Sequence, residues 1–100
     1  MSILSKLFGS DRKNRIQALI ENGAVIIDVR SQSEFSSGHF KGSRNIPLQE
    51  IGSHVPKIKS ENKPVVVCCA SGMRSAQAKS ILEKAGIEVE NAGGWRALEN

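Results

Sequence analysis

The chain has 100 residues, 39% hydrophobic and 24% charged, with a net charge of +4. This is the length and balance of one soluble globular domain that buries roughly two-thirds of its unfolded surface. The mild basic excess suits small anions, and with only Phe8, Phe35, Phe40 and Trp95 to stack on bases and no basic run among them, it argues against nucleic acid.

Residues 1–10 read as an N-terminal extension to a domain over 11–100. Ile3, Leu4, Leu7 and Phe8 form one apolar face of an expected short helix, which docks on the core or frays rather than anchoring in a membrane. The segment is too short for a signal peptide, and no stretch is long and apolar enough for a membrane span. A first helix is predicted from about Asp11 to Glu21, with Ile16, Leu19 and Ile20 as its stripe and Asn22-Gly23 as its C-cap. Ala24 to Val29 reads as a buried strand with Asp28 and Arg30 at its C-terminal end. Ser33 is expected to cap a short turn carrying Glu34 and Phe35. Gly38, Gly42 and Pro47 punctuate a long connection. Ile51, Val55 and Ile58 have helical spacing, and Pro56 among them leaves the boundaries open.

Lys63-Pro64 introduces a strand from Val65 to Cys68 or Cys69, followed by a helix from about Ser75 to Lys84 that ends at Gly86. Ile87 to Val89 reads as another strand, Asn91 to Gly94 as a turn, and Trp95 to Leu98 as a final helical turn. Strands alternating with helices imply a parallel sheet covered on both faces, with ligands outside the C-terminal strand ends.

Cys69 is expected at such an end. Gly72 lets the loop turn its amides inward as an anion nest, and the following helix adds the positive end of its dipole. Arg74 supplies a cation suited to gripping an oxyanion bidentately. Together these lower the thiol from about 8.5 into the range of roughly 3.5–7.5, where the reactive thiolate forms. Cys68 reads as a strand residue whose alternation turns it away from the pocket. The adjacent cysteines bridge each other only under strain, which excludes a disulfide scaffold. There is no CxxC pair or His/Cys cluster for zinc, and His39 and His54 lie 15 residues apart, so no metal is expected. Free thiols fit a reducing compartment, the cytoplasm. The register leaves two readings open: Cys-x4-Arg from Cys69, or Cys-x5-Arg-Ser from Cys68, the spacing of protein tyrosine phosphatases.

Asp28-Val29-Arg30, Glu34-Phe35, Gly38-His39-Phe40-x-Gly42-Ser43-x-Asn45-Ile46-Pro47, the Val-Val-Val-Cys-Cys-x-x-Gly-x-Arg-Ser run and Gly93-Gly94-Trp95 together resemble the rhodanese-like family. The resemblance covers roughly Arg15 to the end. It implies an α/β fold with a central parallel sheet of about five strands flanked by helices on both faces. It also implies a catalytic cysteine that carries sulfane sulfur as a persulfide. Carried over, Cys69 is the nucleophile, and Ala70, Ser71, Gly72, Met73 and Arg74 complete a six-residue loop, one shorter than in the phosphatase relatives. Asp28 and Arg30 support the site, chiefly as ion pairs fixing the connection through Glu34 and His39, and His39 closes that connection by hydrogen bonds.

The expected activity is sulfur transfer from a thiosulfate-like anion to cyanide or a thiol, by ping-pong covalent catalysis without metal or organic cofactor. A sulfur-relay protein is a further expected partner. The alternatives are a persulfide carrier or regulatory module with little small-molecule turnover, and a cysteine-dependent phosphatase or arsenate reductase. Phosphatase chemistry wants a general acid, and the loop offers none.

Overall fold

The computed structural model describes residues 11–99, so the expected N-terminal helix lies outside the described residues. Helix α1 (Asp11–Glu21) leads into strand β1 (Val25–Asp28), short helix α2 (Gln32–Ser37) and strand β2 (Arg44–Asn45). A 3-10 turn (Leu48–Glu50) precedes helix α3 (Ile51–Ser60). Strand β3 (Val65–Cys69), helix α4 (Met73–Lys84), strand β4 (Val89–Gly94) and a 3-10 turn (Trp95–Glu99) complete the order.

The four strands form a parallel sheet in the order β2-β1-β3-β4. The described residues thus contain one strand fewer than the expected five. The layers follow from alternation along the strands. Val25, Ile27 and Val29 of the β1 segment and Val65, Val67 and Cys69 of β3 face Ile51 and Ile58 of α3 and Ala78 and Leu82 of α4. Ile26 and Val66 face the other way, onto Ile16 of α1, with Leu19, Phe40 and Leu98 packed around them. Both central strands are buried along their whole length, as expected for parallel strands covered on both faces.

Two local expectations, the cap of α2 and the turn after Val89, are corrected, and the boundaries left open around Pro56 are settled. The cap of α2 is Ser31, not Ser33: Ser31 Oγ accepts from Glu34 N while the Glu34 carboxylate accepts from Ser31 N, a reciprocal capping box. Helix α3 runs through Pro56. Gly52, whose carbonyl Pro56 leaves without its amide partner, is exposed, so solvent is available to that carbonyl. Asn91 to Gly94 is strand, not turn, because these residues pair with β3 from Val67 to Cys69 across an irregularity between Val67 and Cys68. Asparagine and paired glycines read locally as a turn; here they accommodate a bulge and a close backbone approach. Helix α4 also starts two residues before the expected Ser75, at Met73. None of the described helices is long and apolar enough to cross a membrane.

Candidate active site

The C-terminal ends of β1, β3 and β4 converge on the segment from Cys69 to Arg74. Cys69 closes β3, and Gly72 is the N-cap of α4 at φ 105°, a left-handed conformation that favours glycine. The turn from Cys69 through Ser71 brings the Gly72 amide back onto the sulfur, and Gly72 N donates to Cys69 Sγ at 2.9 Å. Ser75 Oγ lies 3.3 Å from the same sulfur. Cys69 is 1% exposed, beneath a loop whose Ala70 and Ser71 are exposed. Met73, 76% exposed, stands at the rim.

Burial by itself pushes the Cys69 thiol up. Hydrogen bonds from the Ser75 hydroxyl and from the amides of Ser75, Gly72 and Ser71 outweigh it, so the thiol sits below its ordinary value. Cys68 behaves oppositely. It is fully buried and pushed up to about 12 by burial first and by the nearby Asp28 carboxylate second, with Arg30 opposing. Of two adjacent thiols, one is prepared to ionise and the other is held neutral.

Asp28 and Arg30 form a buried pair at the end of β1. Arg30 Nε donates to both carboxylate oxygens at 2.9 and 3.0 Å, and Nη2 donates to Oδ2 at 2.7 Å. The same guanidinium reaches the carbonyls of Glu34 and Gly38, and it lies 5.0 Å from the Trp95 ring centroid. Asn45 Nδ2 donates to the Asp28 and Arg30 carbonyls and fixes β2 to this corner. The pair therefore organises the connection beside the loop. His39 stacks on Phe35 at 3.7 Å, and its Nδ1 donates to the Phe35 carbonyl at 2.8 Å, well within its own segment.

Arg74 is at the loop's end but is already engaged. Its Nη1 and Nη2 donate to Glu34 Oε1 and Oε2 at 2.7 and 3.0 Å. Sequence reasoning placed this guanidinium toward a bound anion and did not pair it with Glu34, 40 residues away. It also passed over Ser75 and Asn91. Ser75 follows Arg74 directly and reads in the sequence as a helix start and as the end of the Arg-Ser pair, not as a partner of Cys69. Asn91 lies on a strand read as a turn. A separate cavity of about 330 Å³ is bounded by residues of 58–64 and 86–88 before β3 and β4; it is lined by no cysteine or histidine.

The sequence model of the rhodanese-like domain matches residues 13–100. The chain belongs to the rhodanese-like family. It is 40% identical over 72 residues to the YqhL protein of Bacillus subtilis, covering 71% of this chain and 56% of that one. It is 33% identical over 71 residues to the thiosulfate sulfurtransferase GlpE of Pseudomonas fluorescens, covering 71% of this chain and 64% of GlpE. The chain thus spans little more than half of YqhL and under two-thirds of GlpE. A solved Escherichia coli structure, described as a rhodanese with anions, superposes with a TM-score of 0.68 at 38% identity, covering 75% of this chain and 91% of that one. The α/β architecture and the rhodanese-like assignment of the sequence analysis therefore stand together.

Proposed function

We propose that this rhodanese-like chain is a sulfurtransferase that carries sulfane sulfur on Cys69. The observation that carries the reading is the asymmetry of the two thiols. Cys69 is surrounded by donors that favour its anion, and Cys68 is buried against a carboxylate that opposes ionisation. The likeness to a thiosulfate sulfurtransferase supports the same reaction class.

In the proposed sequence, the Cys69 thiolate attacks the outer sulfur of a donor such as thiosulfate. The donor S–S bond breaks and sulfite leaves with the electron pair. The persulfide rests against the amides of Ser71, Gly72 and Ser75 that already face Sγ, while Glu34 holds Arg74 at the loop's end. A thiol or cyanide acceptor then attacks the outer sulfur and releases the Cys69 thiolate. The chemistry is completed by the chain's own residues, and the acceptor is a small thiophile or the thiol of a relay protein. Two observations weigh against phosphate ester hydrolysis. The reactive sulfur counts six residues to Arg74 rather than seven, and the carboxylate beside the loop, Glu34, is tied to Arg74 instead of free as an acid. The exposed rim at Met73 favours protein persulfide donors as a second reading of the same site.

The test is intact mass after incubation with thiosulfate. Wild type and Cys68→Ser should gain one reducible sulfur atom, and Cys69→Ser none. A gain that requires Cys68 would reverse the assignment. A reactive Cys69 without any gain would direct the search to protein persulfides.

A further inference from the structure

The bonds around Asn91 fix where one proton points. Gly93 N, which can only donate, lies 2.8 Å from Asn91 Oδ1, so that atom is the amide oxygen. Its Nδ2 correspondingly faces the Gly72 carbonyl at 3.4 Å. Ser75 Oγ lies 2.7 Å from the same Oδ1, so Ser75 is the donor there. The hydroxyl has one proton, and it is spent on Asn91. Yet Ser75 Oγ is also 3.3 Å from Cys69 Sγ, and both residues are buried, at 0% and 1% exposure.

We propose that Asn91 is a positioning residue for Cys69: it holds the Ser75 proton away from Sγ while the sulfur is a neutral thiol, and yields it when the sulfur is an anion. In the first state the thiol donates to Ser75 Oγ. When the thiol proton leaves to solvent, Sγ becomes a charged acceptor, and charge-assisted bonds are roughly twice as strong as neutral ones. The Ser75 O–H then turns about its Cβ–Oγ bond and donates to Sγ. Asn91 Oδ1 keeps the Gly93 amide, so no heavy atom has to move. The same turn accompanies persulfide cleavage, when the S–S bond breaks and its electron pair stays on Sγ. Asn91 thus sets how readily Cys69 carries charge without touching it. This inference rests on Cys69 being the reactive sulfur of the proposed function.

The test is the pH dependence of Cys69 alkylation by iodoacetamide in the full chain, located by peptide mass. The charged groups around the cluster are Arg74 with Glu34, the Asp28–Arg30 pair beside Cys68, Arg12, which donates to the Asn91 carbonyl, and Glu90 with Arg15. All are retained. Ser75→Ala should raise the midpoint, since the thiolate loses a donor. Asn91→Ala should lower it by roughly half to one pH unit, the worth of one neutral buried hydrogen bond, because the hydroxyl is set free. In the Ser75→Ala background, Asn91→Ala should shift nothing further. An Asn91→Ala midpoint that rises, stays put or falls equally in both backgrounds overturns the proposal.

If Asn91→Ala loses cooperative unfolding, Asn91→Asp keeps the size and holds the proton more tightly. Its midpoint should rise more with Ser75 present than absent. An equal rise would be charge acting through space and would overturn the switch. Alkylation needs no sulfur donor, so this outcome is separate from the thiosulfate mass gain that tests the function.

Discussion

Glu34 shows how much one side chain can connect. Its carboxylate accepts from Ser31 N and Ser31 Oγ, and from both terminal nitrogens of Arg74. The Arg74 bonds come first and the Ser31 amide second in lowering it from 4.5 to about 2. A carboxylate depressed in the fold contributes stability above its ordinary value and loses that contribution as pH falls through the folded one. The clamp on Arg74 should therefore hold at pH values above 4.5 and dissolve as pH falls toward about 2. A carbon-13 NMR titration of the Glu34 carboxyl group should give a midpoint near the lower figure. In Arg74→Ala the midpoint should climb back toward 4.5 but stop short of it, because the Ser31 amide still donates. A wild-type midpoint at the ordinary value would mean that the pair is absent in solution.

At the scale of elements, the decisive contact is between β4 and the loop after β3. Gly94 pairs with Cys69 in the sheet. A Cβ at Gly94 would stand 2.9 Å from the Ala70 carbonyl oxygen, which is backbone and cannot swing aside. Gly94→Ala should cost about 1–3 kcal/mol, typical of overpacking, and should shift the loop that carries the donors to Cys69. Gly52 supplies the contrast. It lies exposed in α3 with nothing within 4 Å of an added Cβ. Gly52→Ala should be stabilising by roughly 0.5–1 kcal/mol, since alanine is the better helix former. Thermal unfolding of the two variants should move in opposite directions; the same direction for both would disprove the packing argument.

For the molecule as a whole, the sheet centre supports the site from below. Ile27 is fully buried in β1, opposite Val67 of β3, within the larger core cluster. Its truncation removes contacts from both the sheet and the helices over it. Ile27→Ala should cost about 2–5 kcal/mol, against a total of about 5–15 kcal/mol for an ordinary domain. Urea unfolding should show a lower midpoint at an unchanged slope. A loss below about 1 kcal/mol would mean that the neighbours close the cavity freely.

What the sequence determined was local. The α1 stripe, the apolar runs of β1 and β3 and the order cysteine, glycine, arginine, helix all arise from residues near one another in the chain. Periodicity and end signals report those directly. The adjacency of Cys68 and Cys69 on alternating sides of a strand was legible for the same reason. The tertiary structure decided what depends on distant segments meeting. Arg74 reaches Glu34 because the ends of β3 and β1 are neighbours in the sheet. Asn91 reaches Ser75 because β4 pairs along β3 across an irregularity that no local pattern announces. Asn-Ala-Gly-Gly favours a turn by its own conformational preferences, and the backbone pairing offered by β3 overrides them.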